Sequence, residues 1–131
     1  AQLKTVEDIM LVGSKIPFVR ENLNMENAFK VLSNKKLGIL VVQNKLKKTI
    51  GIITDGQIRR FNQKKIDISS LCVSNVMTKK PISIDKNELA AKALSIMNSK
   101  KITSLCVHEK KNKNKTVGVI HIHNILSSNV S

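Results

Sequence analysis

Aromatic residues are scarce in this sequence, which has three Phe, no Trp and no Tyr among its 131 residues. Any hydrophobic core must therefore be built from aliphatic side chains and Met, which suits tightly packed layers of helices and strands. Proteins that bind single-stranded nucleic acids usually stack the bases on exposed aromatic rings. The shortage of such rings argues against that class of protein.

Cysteine and long apolar segments are also scarce. The two cysteines, Cys72 and Cys106, are too few for a disulfide framework and lack the spacing of a metal site. The longest apolar run covers residues 37–42, whereas a helix needs about 20 apolar residues to cross a bilayer. Since no signal-peptide pattern opens the chain, we predict a soluble protein of the reducing cytoplasm with no membrane partner.

Acidic residues are few: nine Asp and Glu stand against 23 Lys and Arg, which gives a net charge of +14. Such a charge favours polyanionic partners. However, the Lys residues are spread along the chain among many Asn, and Arg, which suits bidentate phosphate recognition, occurs only at Arg20, Arg59 and Arg60. We therefore interpret the charge as a solvated surface and expect no nucleic-acid partner; a basic nucleic-acid-binding domain is the alternative.

A repeat organises the chain. Residues 6–10 (VEDIM) recur as residues 73–77 (VSNVM), and a Pro follows each copy within a few residues. Short apolar-alternating stretches beside these prolines, 16–19 and 82–84, are typical of strands. The sequence therefore predicts one structural unit present twice.

Each copy continues with an amphipathic helix, because apolar residues recur there at helical spacing. These residues are Met25, Ala28, Phe29 and Leu32 in the first copy and Ala90, Ala93, Leu94 and Met97 in the second. Lysine pairs at 35–36 and 100–101 suit the helix ends, and Asp85 with Glu88 is predicted to cap the second helix.

Two strands, a polar hairpin loop between them and a short helix follow each amphipathic helix. The strands are predicted at 38–42, 50–54, 104–107 and 117–120, the loops at 43–48 and 109–115, and the helices at 57–64 and 124–127. This order predicts an α/β protein, α+β in some schemes, built from two β-α-β-β-α units.

The closing segments GIITDGQI at 51–58 and GVIHIHNI at 118–125 resemble the CBS motif, named after cystathionine β-synthase. The resemblance covers nearly the whole chain. It implies two CBS motifs, at 1–66 and 67–131, packed with pseudo-two-fold symmetry.

Four shorter stretches are similar to the C-terminal half of D-arabinose-5-phosphate isomerases: TDGQIRR at 54–60, VMT at 76–78, KITS at 101–104 and HIHNIL at 121–126. Those enzymes interconvert D-ribulose 5-phosphate and D-arabinose 5-phosphate for the Kdo sugar of bacterial lipopolysaccharide. Their N-terminal sugar-isomerase domain has no counterpart here, and the chain begins at Ala1 rather than Met, so we expect a piece of a longer polypeptide. The resemblance implies that this piece is not an enzyme and has no catalytic residue. Its implied partners are that isomerase domain and a second copy, in a CBS-paired homodimer within a tetrameric parent.

The family binds a ligand, typically adenosine-bearing, in a cleft bordered by a hydroxyl residue and an Asp of the closing motif. Thr54 and His121 match the hydroxyl position, and Gln57 and Asn124 match the Asp position. A carboxamide offers one acceptor oxygen and only neutral hydrogen bonds, so these two residues depart from the pattern. A structural CBS pair that has lost ligand binding is therefore an alternative to a sensor.

The ligand-binding residues that the resemblance implies are Thr54, Asp55, Gln57, Ile82, Ser83, Thr103, His121 and Asn124. The expected regulatory ligand is an adenine nucleotide or CMP-Kdo, and no cofactor is required. Two of the residues have purely structural interpretations as well: Thr54 can simply finish a strand, and Asp55 before Gly56 is common in turns and caps.

His121 and His123 are two residues apart, a spacing that can chelate zinc or copper in a strand. A site needs further ligands, for which only His108, Cys106 and scattered carboxylates are available. We therefore predict no metal site.

Overall fold

The computed structural model describes residues 3–128, and Ala1, with which the chain begins, lies outside that range. The helices are α1 (Val6–Ile9), α2 (Met25–Lys35), α3 (Asp55–Gln63), α4 (Val73–Val76), α5 (Ala90–Lys100) and α6 (Ile122–Ser127). The strands are β1 (Phe18–Arg20), β2 (Ile39–Gln43), β3 (Thr49–Thr54), β4 (Thr78–Lys79), β5 (Ser83–Asp85), β6 (Ser104–Glu109) and β7 (Asn112–His121). Within the described residues, no helix is long and apolar enough to cross a bilayer.

The strands form two sheets with equivalent connections. One sheet has the order β1-β2-β3-β4 and the other has the order β5-β6-β7. In each sheet the first two strands are parallel and are joined through a long helix, α2 or α5, while the next pair is an antiparallel hairpin. The predicted duplicated α/β unit is confirmed.

The residues group into two compact units, which we name the central unit (Pro17–Pro81) and the terminal unit (3–16 with 82–128). Each unit contains one β-α-β-β-α set and one short helix that belongs to the other copy of the sequence repeat. The central unit includes α4, and the terminal unit includes α1. Helix α1 thus belongs to the first repeat in sequence but folds with the strands of the second.

Backbone hydrogen bonds attach each short helix to the start of the long helix in its unit. The bonds of α1 run from Val6 N to Glu88 O (2.8 Å) and from Ala90 N to Lys4 O (2.9 Å). The bonds of α4 are equivalent: from Val73 N to Leu23 O (2.8 Å) and from Met25 N to Leu71 O (2.8 Å). The first amide of each helix, which has no partner within its own helix, therefore donates to the segment that leads into the other helix.

Each unit has its own aliphatic core. The buried core residues of the central unit are Val19, Met25, Ala28, Leu40, Val42, Ile53, Ile68, Val73 and Val76. Those of the terminal unit are Val6, Ile84, Ala93, Met97, Leu105, Val107, Ile120 and Ile125. The core contains the aliphatic and Met side chains expected from a sequence so poor in aromatic residues.

The predicted cap of α5 is wrong. Asp85 ends β5, and its Oδ1 accepts a hydrogen bond from Asn87 N (2.8 Å) in a local turn. The N-cap residue of α5 is Leu89, which makes no side-chain cap bond. A side-chain cap is not needed, because the backbone of Lys4 already accepts from the first amide of the helix.

The predicted loop at 109–115 is also wrong in part, because β7 begins at Asn112. Glu109 pairs with Asn112, so the turn itself holds only Lys110 and Lys111. Residues 112–115 are exposed on both faces and carry no apolar alternation by which sequence could identify a strand.

Candidate functional site

One end of the sheet in the terminal unit collects polar residues. The register pairs Ser83 on β5 with Cys106 on β6, and Ser104 on β6 with His121 on β7. The starts of β5 and β6 and the end of β7 therefore lie at the same end of the sheet. We name this end the terminal sheet end; it comprises Ile82, Ser83, Thr103, His121 and Asn124.

His121 and Asn124 are fixed by reciprocal capping of α6. The backbone N–H of His121 donates to Asn124 Oδ1 (3.0 Å), and the backbone N–H of His123 donates to His121 Nδ1 (3.1 Å). An unprotonated Nδ1 is required to accept this bond, so the proton of neutral His121 lies on Nε2. The cap thus defines the tautomer of a half-buried histidine.

The electrostatic surroundings favour that neutral form. Burial lowers the pKa of His121 below its usual value of 6.5, and the nearby His123 lowers it further. The two rings pack edge to face with their centroids 4.7 Å apart.

The other members of the terminal sheet end surround this cap. Thr103 is exposed and its carbonyl accepts from Ile122 N (2.8 Å), which anchors the start of α6 beside the start of β6. Ile82 is 42% exposed. Ser83 is half-buried, and its hydroxyl lies 2.7 Å from Nδ1 of His108. Sequence reasoning did not identify this Ser–His pair, because the two residues are on different strands.

The equivalent end of the central unit contains Thr54, Asp55 and Gln57. Thr54 ends β3, and its Oγ1 accepts from Gln57 N (3.2 Å) as the N-cap of α3. Asp55 begins α3 and is exposed, and its N–H donates to Gly38 O (3.1 Å). Both residues therefore perform the local strand-end and turn chemistry that the sequence offered as their structural interpretation.

Gln57 is bound within its own unit. Its Nε2 donates to the carbonyl of Val76 at the end of α4, and its Oε1 is buried with no hydrogen-bond partner among residues 3–128. The side chain of Asn124, at the matching position of the other repeat, accepts from the N-cap residue of its own helix, His121. The two units thus place a carboxamide at the same position but use it differently.

Metal ligands do not converge in the described part of the chain. Residues 3–128 contain no group of three or more His, Cys, Asp or Glu placed to hold a metal ion. Burial raises the pKa of the Cys106 thiol to about 12, while a hydrogen bond with Thr116 opposes the rise, so that thiol stays protonated and is a poor ligand.

Comparison with known proteins matches this architecture to one family. The model of the CBS domain matches residues 6–64 and 73–130. The chain is 36% identical over 131 residues to an uncharacterized protein of Rickettsia prowazekii (strain Madrid E), covering 100% of this chain and 40% of that protein. It is 34% identical over 128 residues to arabinose 5-phosphate isomerase KdsD of Yersinia pestis, covering 98% of this chain and 38% of that enzyme. The chain thus spans about two fifths of the length of these relatives.

A solved structure shares the fold. CBSX2, a CBS-pair protein of Arabidopsis thaliana whose structure was determined in complex with AMP, aligns with a TM-score of 0.79 and 19% identity. The alignment covers 95% of this chain and 94% of CBSX2. The duplicated units, the family match and this likeness agree, and the chain belongs to the CBS-domain family.

Proposed function

We propose that this chain is the regulatory and oligomerising region of a cytoplasmic D-arabinose-5-phosphate isomerase, and that catalysis belongs to a sugar-isomerase domain preceding it. The observation that carries the proposal is the 34% identity to isomerase KdsD across 98% of this chain, which accounts for 38% of that enzyme. The remaining length of such a parent leaves room for a catalytic domain.

The proposed regulatory ligand is an adenine nucleotide or CMP-Kdo bound at the terminal sheet end. Thr103, His121 and Asn124 bring a hydroxyl, an imidazole and a carboxamide to one end of one sheet. A few convergent polar groups of this kind orient the ligand in a small-molecule site. The AMP complex of CBSX2 supports a nucleotide as the first ligand to test.

A ligand regulates an attached domain only if it binds two states of the protein with different affinities. The segment before β1 supplies a route for this coupling, because Leu11 and Val119 exchange backbone hydrogen bonds of 2.8 and 3.0 Å. Val119 lies two residues before His121 on β7. Lys86 also joins this segment to the hairpin, with its Nζ 3.0 Å from Glu7 and 3.7 Å from Glu109.

The test uses the parent polypeptide that contains this chain. Its isomerase rate is measured with and without AMP, ATP or CMP-Kdo, and its thermal midpoint is followed in parallel. We expect at least one ligand to raise the midpoint and to change the rate. A parent that lacks isomerase activity, or one whose rate and midpoint ignore every ligand, would contradict the proposal.

Oligomerisation is proposed through the CBS pairs, as a homodimer of this chain and a tetramer of the parent. Leu126, on α6, is 57% exposed and is the kind of apolar side chain that such an interface covers. Light scattering coupled to size exclusion gives the mass directly. A strictly monomeric chain at high micromolar concentration would remove this part of the proposal.

A structural CBS pair without a ligand is the second candidate, and one observation favours it for the central unit. The side-chain amide of Gln57 already donates to the carbonyl of Val76, so this donor has a partner within the protein. If the parent assembles normally but no ligand changes its isomerase rate or its thermal midpoint, the structural role is supported.

A further inference from the structure

One end of the sheet in the central unit collects exposed cations. Strand β1 ends at Arg20, which pairs with Gln43 at the end of β2, and Gln43 pairs in turn with Thr49 at the start of β3. Strand β4 runs antiparallel to β3 and ends at Lys79. We name this end, where the turn between β2 and β3 lies, the basic sheet end; its exposed cations are Arg20, Lys45, Lys47, Lys48, Lys79 and Lys80.

These charges are not neutralised within the chain. Residues 37–50 and 77–81 contain no Asp or Glu, and Glu21 is the acidic residue that follows β1. In the part of the chain that the structure describes, none of the six cations forms an ion pair. Their side chains are therefore available to anionic groups outside the chain.

An apolar side chain lies among these cations. Leu46 is 74% exposed in the turn between β2 and β3, with Lys45 before it and Lys47 and Lys48 after it. A single exposed Leu is ordinary. A Leu with cations on both sides, however, matches a lipid–water interface, where apolar groups enter the boundary of the acyl chains and cations contact the head groups.

Hydrogen bonds hold this turn in one conformation. Oδ1 of Asn44 accepts from the amides of Leu46 (3.0 Å) and Lys48 (3.0 Å), and the amide of Lys47 donates to the carbonyl of Asn44 (3.0 Å). The carbonyl of Lys47 accepts from Nε2 of Gln43 (3.2 Å). Because the amides of residues 46–48 have partners inside the turn, contact with an apolar layer would not leave them unpaired.

The matching turn of the terminal unit has charge without an apolar residue. Lys110 and Lys111 form the turn between β6 and β7 and are exposed. Residues 109–115 contain four Lys and no apolar side chain. The chain therefore offers a second basic turn against which the contribution of Leu46 can be measured.

The partner that these features favour is an anionic membrane surface. Five of the six cations are Lys, whose compact charge lacks the planar fork with which Arg recognises single phosphates. Among the described residues, no Phe is one of the exposed large apolar side chains. The stacking platform on which single-stranded nucleic acids usually bind is therefore missing.

We propose that the basic sheet end docks this chain reversibly on an anionic phospholipid surface, with Leu46 inserted among the head groups and the surrounding cations in contact with the lipid phosphates. A surface contact needs no spanning segment, so the proposal revises the expectation of no membrane partner, which rested on the lack of such a segment. The basic sheet end is opposite to Thr54 on its sheet. The proposal does not depend on ligand sensing.

The experiment measures co-sedimentation of the 131-residue chain with two kinds of vesicle. One is made of phosphatidylcholine, and the other of equal parts of phosphatidylcholine and phosphatidylglycerol. At about 0.15 M salt we expect the anionic vesicles to bind the chain at least about tenfold more tightly than the neutral ones. Binding should weaken as the salt concentration rises, because salt screens exposed charges.

Three variants separate the apolar side chain from the charge. Leu46→Ser keeps every cation and is expected to weaken binding about fivefold or more, because the inserted side chain is lost. Lys45→Gln combined with Lys48→Gln removes two charges beside Leu46 and should weaken binding at least about tenfold. The matched control, Lys110→Gln combined with Lys111→Gln, makes the same change at the other turn and should weaken binding less than about twofold.

Absence of binding to the anionic vesicles overturns the proposal. Equal losses of affinity in the two lysine variants also overturn it, since they would show a contact through net charge alone, and so does wild-type affinity in Leu46→Ser. If RNA oligomers bind through Lys45 and Lys48 while the vesicles do not bind, the surface takes nucleic acid and the lipid assignment is wrong. All the substituted positions are exposed, and a thermal melt of each variant checks that it is folded.

Discussion

Gln57 and Asn124 occupy the same position of the two repeats, but their side chains are held in different ways. Gln57 donates to the carbonyl of Val76, whereas Asn124 accepts from the backbone N–H of His121. A carboxylate can replace an acceptor but cannot replace a donor. The two positions should therefore respond in opposite ways to the same chemical change.

The isosteric variants Gln57→Glu and Asn124→Asp test this difference. Gln57→Glu removes the donor and places a carboxylate oxygen against the Val76 carbonyl, so we expect a loss of about 1–3 kcal/mol in the free energy of unfolding. Asn124→Asp keeps its cap bond and should change stability by less than about 1 kcal/mol. Urea denaturation of both variants provides the measurement. Equal losses would show that the Gln57 bond contributes no more than an ordinary surface contact.

The cap formed by His121 makes stability depend on pH. Burial and His123 lower the pKa of His121 below 6.5, so the unfolded chain binds this proton more tightly than the folded one. The stabilisation is present above pH 6.5 and is lost as the pH falls toward the folded-state pKa. His121→Asn retains a capping side chain that does not titrate.

We therefore expect wild-type stability to fall relative to His121→Asn as the pH drops below 6.5, and the difference to be constant above it. Thermal melts of both proteins between pH 5 and 8 measure the difference. A variant with the same pH profile as the wild type would exclude His121 as the titrating group.

Sequence comparison alone located the polar residues of the candidate site, but it could not supply their partners. The resemblance placed His121 and Asn124 in matching slots, and the structure brings them together in one cap. The bond from Gln57 to Val76 spans 19 positions, and no local pattern encodes a contact of that separation. For the same reason the hydroxyl of Ser83 gave no sign of its partner His108.

Among the strands and helices, two glycines each allow a methionine side chain to pack closely against a strand: Gly51 faces Met77, and Gly118 faces Met10. A Cβ on Gly51 would lie 2.7 Å from Met77 Sδ and 2.8 Å from Thr78 O. A Cβ on Gly118 would lie 2.4 Å from Met10 Sδ and 3.0 Å from Leu11 O. In each case a backbone oxygen joins the clash, so rotation of the methionine cannot relieve it.

We expect Gly51→Ala and Gly118→Ala each to lower the free energy of unfolding by about 1–3 kcal/mol through overpacking. Gly56→Ala is the control, because its Cβ would be 3.5 Å from its nearest neighbour, Nη1 of Arg60. Gly56 lies in the first turn of α3, where Ala is favoured over Gly by less than the roughly 1 kcal/mol of a helix interior. Chemical denaturation should therefore give opposite signs, and destabilisation by Gly56→Ala would contradict the packing argument.

The spacing of apolar residues predicted the long helices, because a helical period becomes visible only over several turns. The apolar spacing identified α2 and α5, and their ends at Lys35 and Lys100 are confirmed. Helices α1 and α4 have four residues each, too few to show a helical period. The motifs that contain them were recognised as repeats, but not as helices.

For the whole molecule, the bounds of the two sequence repeats do not coincide with those of the two compact units. The family model matches 6–64 and 73–130, whereas the compact units are Pro17–Pro81 and the two ends together. The exchanged parts are the short helices, which bond to the other repeat's long helix. A linear comparison of repeats cannot reveal this exchange, because it carries no information on long-range pairing.

Two fragments of nearly equal length test the exchange. Residues 17–81 include all nine buried core residues of the central unit, while residues 1–66 lack three of them, Ile68, Val73 and Val76. The free-energy cost of removing that many apolar side chains from a small core exceeds the free energy of unfolding of most domains of this size. We expect a cooperative melt by circular dichroism for 17–81 only. A cooperative melt of 1–66 would show that the sequence repeat is the folding unit.

The ligand site at the terminal sheet end is tested most directly by mapping amide and side-chain NMR shifts of the 131-residue chain during a titration with AMP. Binding at this site should give the largest saturable shifts at Thr103, His121 and Asn124, including the NH2 group of Asn124. Shifts confined to the lysine-rich hairpin at residues 110–115, or none at millimolar ligand, would contradict a ligand site at the end of this sheet.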